Sequence, residues 1–295
     1  MQVHTFGKLA LTAVVTAALA ACGSDSDSNS GDNKSNNNSG NGSGTTQNIN
    51  LEFAAQLNSS ELKCDANTET VGTNNTPADI KYFGLYISEL EVATASGDFV
   101  PVKLKSATTA DVERGISLLA FCGTNLKNNT IQGTVDKADD YSRVRFTIGV
   151  PEKYNHLDAT KTSGILAKEI AMHWNWTAGY KHARMDVAGW NIHLGSTACS
   201  GNGKADPTSV CSNGNRPTYS FRNINLAEDK IILDYANLVA QSDISSDAGG
   251  APGCMSGTSD PECSKVFSAL GLNLADGQCK NNDCDSQSWV RTAKK

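Results

Sequence analysis

From Ile49 onward the chain is a succession of short stretches rich in β-branched and aromatic residues: INLEFAAQL, DIKYFGLYISELEVAT, FVPVKL, RVRFTIGV, HARMDVAGWNIHL, PTYSFRNI and KIILDY. Segments such as TASGD, GTNLKNN and GNGKADP separate them with residues that favour turns. Stretches of this length and composition, several of them alternating in polarity, suit pleated strands with a buried face. Only VFSALGL and LAKEIAMH read as helical, so no helices alternate with the strands and a parallel βαβ sheet is disfavoured. The expected fold is all-β: an antiparallel β-sandwich-like single domain with long loops and disulfides, spanning residues 49–295. There is no internal repeat of fixed period.

Ahead of the domain, Lys8 precedes an apolar run from Leu9 to Ala21 that is too short to span a bilayer and reads as a secretory signal. It ends in Leu19-Ala20-Ala21-Cys22, small residues before a cysteine, which is the pattern recognised by bacterial lipoprotein signal peptidase. Residues 1–21 are then the signal peptide, and Cys22 carries the lipid and becomes the first mature residue. Gly23 after it leans toward the outer membrane, so the expected location is the cell envelope, on the periplasmic or surface side. Residues 22–48 are largely Ser, Asn, Gly and Asp, and cannot bury enough apolar surface to offset the entropy of ordering; a flexible tether is expected.

Export makes disulfides the default state of cysteine. With Cys22 set aside from the 9 cysteines, an even set remains: Cys64, Cys122, Cys199, Cys211, Cys254, Cys263, Cys279 and Cys284. The pairs Cys199/Cys211, Cys254/Cys263 and Cys279/Cys284 are each spaced to close a small loop, leaving Cys64 for Cys122, although spacing alone does not fix connectivity. Oxidised sulfurs are not thiolates, so a soft metal must be held by other groups. The formal net charge of -6, without a basic cluster, argues against a nucleic-acid partner. No Gly-rich phosphate loop and no nucleophile–base or paired-carboxylate frame is present, so the chain is not read as an enzyme.

The densest chemistry lies in MHWNWTAGYKHARMD, from Met172 to Asp186. Tryptophan is not a metal ligand, since its one polar atom is an N–H whose lone pair belongs to the ring. If Met172–Trp176 is extended, Met172, Trp174 and Trp176 share a face and His173 lies on the other. A histidine for Trp174 must then come from elsewhere. His193 ends an apolar run before a Gly-Ser turn and a cysteine that can pin it; His156 sits in a loop after a strand-like segment. The competing reading is plain core packing for the methionine and tryptophans.

The order of MHWNWTAGYK, NIHLGSTACSG, NRP, GCMSGTSDPEC and VFSALGL, preceded by KYFGLYISELEV, LLAFCGT and YSRVRFTIGVPEKYNHLD, resembles the MbnP family of copper-binding proteins. The resemblance covers most of the chain from Leu51 to Leu274; the long Asn/Ser tether and the additional Cys279 and Cys284 depart from it. It implies an exported protein working with a di-haem partner of the MbnH type, which oxidises the first tryptophan of W-x-W, here Trp174, to kynurenine. Copper(I) is then held by that residue with a histidine, a methionine and solvent. Of the candidates in this chain, Met172 is preferred because it shares the strand face of Trp174, with Met185 and Met255 as alternatives; His193 is the first histidine and His156 the second; Trp176 either relays charge or packs. The resemblance thus implies a copper-homeostasis protein that is the substrate of its partner. The alternatives are a metal-free surface lipoprotein acting in adhesion or as a scaffold, and an enzyme that uses copper for redox chemistry.

Overall fold

The computed structural model describes residues 45–66, 69–174, 179–201, 206, 208–280 and 284–295. Strand β1 (Gln47–Leu57) buries Ile49, Leu51, Phe53, Ala55 and Leu57, every second residue, while the side chains between them are half-buried or exposed. That period of two is what a strand with one face on a core requires, and each large apolar side chain so buried stabilises the fold by about 1.5–3 kcal/mol. Strand β2 (Ile80–Thr94) is buried almost throughout because both of its faces are covered. Its inner row, Phe83, Leu85 and Ile87, enters the main core, and its outer row, Tyr82 and Tyr86, enters a second one.

The remaining principal strands are β3 (Ile116–Cys122), β4 (Thr130–Val135), β5 (Tyr141–Ile148), β6 (Lys181–Val187), β7 (Trp190–Gly195), β8 (Thr218–Arg222), β9 (Asp229–Asp234) and β10 (Val290–Lys294). One sheet runs β10-β9-β1-β4 and ends on the short strand Lys103–Leu104. The other runs β8-β5-β2-β6-β7 and ends on Gly253–Cys254, with β3 paired to the middle of β2. The main core contains inward rows from both sheets, including Phe53, Phe83, Phe146, Trp190, Tyr219 and Trp289. The smaller core lies where Val150, Ala159, Leu166, Met172 and Tyr180 cover the outer face of β2 and β3.

An all-β sandwich-like domain with disulfides is therefore what forms, and the disulfides are Cys64–Cys122, Cys199–Cys211, Cys254–Cys263 and Cys279–Cys284. Three details differ from the sequence expectation. HARMDVAGWNIHL is not one strand but the hairpin β6/β7, turning at Ala188-Gly189, where Gly189 has φ +87°. Strands β3 and β4 also form, and Asn128 between them bridges back to Ala120. Two pairings are parallel, β1 with β9 and β7 with Gly253–Cys254, because long connections rather than tight turns bring these strands together.

Candidate metal centre

The outer face of the second sheet carries a polar row. Register aligns Gly84 of β2 with Arg184 of β6, and Arg184 with His193 of β7. Met185 and Ile192 enter the main core, so alternation turns Arg184, Asp186 and His193 outward. Asp186 accepts from both neighbours, through Oδ1 from His193 Nε2 at 2.9 Å and through Oδ2 from Arg184 Nε at 2.7 Å. Burial alone would raise the Asp186 carboxyl, but these two hydrogen bonds outweigh it and hold the group below its ordinary range. Arg184 also lies 4.4 Å from the centroid of the Tyr82 ring and donates to the carbonyl of Ala171 at 3.1 Å. A neutral histidine that donates its Nε2–H to a carboxylate has the Nδ1 lone pair as its donor to a metal.

Trp174 reaches this row from the covering segment. A turn of 3-10 helix ends at Met172, His173 then bridges to Tyr180, and Trp174 N–H donates to Gly179 O at 2.8 Å. Gly179 has φ +73°, and a Cβ there would come within 2.2 Å of the Asn155 carbonyl, so the position requires glycine. The Trp174 ring packs edge-on against the His193 imidazole, with centroids 6.1 Å apart and planes at 88°. The Gly195 backbone permits that approach: a Cβ there would lie 2.9 Å from Cζ3 of Trp174. Lys181 Nζ stands 6.0 Å from the indole centroid and donates to the carbonyls of Ala171 and His173 at 3.0 and 3.1 Å. Burial, followed by the charge of Arg184, pulls the Lys181 ammonium down to about 8.

The plain-core reading fits Trp190 and Trp289, both sealed inside the sandwich, but not Trp174, which is half-buried and belongs to neither core. Met172 is not on a shared strand face with Trp174; it is fully buried among Tyr82, Tyr86 and Tyr180, because the chain here is a helical turn that the covering segment packs inward. Met185 points into the main core. Met255 is placed differently. The parallel pairing of Asn191 with Gly253 and Ile192 with Cys254 sets Met255 level with His193, and Ser256 Oγ donates to His193 O at 2.9 Å. Met255 follows the core residue Cys254, is half-buried, and its N–H donates to Asp260 Oδ2 at 2.8 Å. Trp176 and Cys22 lie outside the described residues. Arg184, Asp186 and Lys181 were not anticipated, although the spacing R-M-D around an inward methionine is a signal for two charged groups on one outer face.

His156 does not join His193. It is buried at the end of the short helix Glu152–Asn155, with Nε2 3.1 Å from Cys211 Sγ and 3.4 Å from Asn155 Nδ2. The potential ligand atoms of His156, Cys199 and Cys211 all lie within 4.8 Å of one another. The two sulfurs are bonded to each other, however, and a disulfide offers no thiolate.

Beside Trp174 stands an imidazole oriented by a carboxylate, a donor of the kind that transition metals take. The indole adds a ligand only if its ring is chemically opened. A family model described as MbnP matches residues 46–256. Among solved structures, MbnP from Methylosinus trichosporium is similar at 26% identity with a TM-score of 0.73, over 85% of this chain and 99% of that one. No curated protein matches.

Proposed function

The chain belongs to the MbnP family, and from that premise we propose that it is an exported, lipid-anchored copper(I)-binding protein of copper homeostasis, whose site is built on Trp174 and His193. The observation that carries this reading is the edge-on contact of the half-buried Trp174 ring with a histidine already oriented by Asp186. A di-haem partner of the MbnH type oxidises Trp174 to kynurenine, which gives an aniline nitrogen beside a ketone where the indole had no lone pair to donate. His193 Nδ1 and the thioether of Met255 or Met172 supply the remaining protein donors, and copper(I), when bound, is the cargo rather than a reagent. Arg184 and Asp186 hold the imidazole in one tautomer. Lys181 places a cationic group near the modified ring.

The test is expression with and without the cognate di-haem partner, followed by peptide mass spectrometry and metal analysis. The expected outcome is a peptide carrying two added oxygens less one carbon monoxide at Trp174 and not at Trp176, together with tightly held copper, only when the partner is present. Trp174→Phe should keep the fold and lose the copper. Met255→Leu and Met172→Leu separate the two thioethers: Met255→Leu should weaken copper and leave the oxidation intact. Unmodified Trp174 in a protein that nevertheless binds copper at full stoichiometry would overturn the proposal.

A further inference from the structure

A second group of donors lies outside the Trp174 site. Cys199 and Cys211 are directly opposed in the two-stranded ladder Thr197–Cys199/Cys211–Asn213, and the pairing of Thr197 with Asn213 holds that ladder independently of the disulfide. His156 is 2% exposed, its Nε2 is 3.1 Å from Cys211 Sγ, and its Nδ1 has no hydrogen-bond partner among the described residues. Glu152 Oε1 accepts from the Cys211 N–H at 2.9 Å, and Glu152 and Asp206 both act on the His156 imidazole as negative charges. A buried imidazole, two sulfurs and surrounding carboxylates form an environment that favours a cation over a neutral occupant.

We propose that His156, Cys199 and Cys211 form a redox-gated metal site, closed while the disulfide is intact and able to hold zinc(II) once it is reduced. A dithiol supplies two electrons and two protons to the Cys199–Cys211 bond and leaves as its own disulfide; zinc(II) then displaces the two thiol protons and takes the neutral imidazole as its third ligand. Tetrahedral zinc with Zn–S near 2.3 Å and Zn–N near 2.0–2.1 Å sets sulfurs about 3.8 Å apart and nitrogen about 3.6 Å from sulfur. The Nε2–Cys211 Sγ distance therefore changes by only about half an ångström, and once their bond is broken the two sulfurs separate by side-chain rotation without parting the ladder. Asn155 adjoins His156, and its Oδ1 accepts from Tyr180 N–H at 3.1 Å.

The experiment is cobalt(II) titration, cobalt standing in optically for zinc, of the full chain before and after reduction with a water-soluble phosphine that is removed before the metal is added. The reduced protein should take up one equivalent with a sulfur-to-cobalt charge-transfer band, and the oxidised protein none. Cys199→Ser with Cys211→Ser should abolish the band, whereas Cys254→Ser with Cys263→Ser should keep it. His156→Gln, which leaves every thiol in place, should weaken binding by at least about tenfold. An undiminished band in the Cys199/Cys211 double variant, or an unchanged affinity in His156→Gln, would overturn the site. Neither outcome bears on copper at Trp174, which is measured in the oxidised protein.

Discussion

At the scale of single residues, Asp186 is the group on which the geometry of His193 rests. Asp186→Asn should leave the sandwich folded but loosen the imidazole and lower copper affinity by about 10–100-fold, as removal of a partner behind a metal-binding histidine does; competition with a copper(I) chelator measures it. His182 governs a different property. Its Nδ1 accepts from Val150 N–H at 3.2 Å while Nε2 lies 3.0 Å from the Gly214 carbonyl, which fixes a neutral ring. Burial, then the charge of Arg216, depresses it to about 3, against an unfolded value of about 6.5. Between those values the unfolded chain holds a proton that the folded chain lacks. Stability from this residue is therefore fully present above the unfolded value and lost as pH falls toward the folded one, up to on the order of 5 kcal/mol. Denaturant midpoints measured between neutral and acidic pH should drop through that window, and His182→Gln should flatten the slope. His193 was legible in the sequence, because an apolar run ending at a pinned turn fixes a side chain. The place of Met255 was not, since it depends on a parallel pairing between segments with no local signal linking them.

At the scale of elements, most strands were legible from polarity and turn residues, whereas the stretch around Trp174 was not. The run Ile170–Met172 is helical, as LAKEIAMH reads, and Met172 packs onto the outer tyrosines of β2, so Met172 does not join an extended stretch with Trp174. The continuous apolarity of β2 likewise reflects a second covered face, which a single-face alternation template does not describe. The Cys254–Cys263 disulfide links the short edge strand that precedes Met255 to the helix Cys263–Leu270. Replacing both cysteines by alanine should cost roughly 2–3 kcal/mol in chemical denaturation, given the short loop closed. It should also weaken copper binding through Met255, while leaving oxidation of Trp174 unchanged.

At the scale of the whole molecule, the sandwich presents the Trp174 row on the outside of one sheet rather than within the core, which is the placement that the proposed oxidation by a partner requires. The proposed lipid on Cys22 would hold that surface near the envelope membrane. A palmitate analogue should label the wild-type chain, and Cys22→Ser should be recovered soluble and unlabelled; equal labelling of that variant would refute the anchor. The β1–β9 pairing carries a temporal consequence as well. Phe53 is paired with Ile231, so in a chain that emerges amino end first β1 is present long before its parallel neighbour arrives. Contacts so distant in sequence form slowly. During that interval the apolar row of Leu51, Phe53 and Ala55 stays open, and the nascent protein is most vulnerable to aggregation before β9 has emerged.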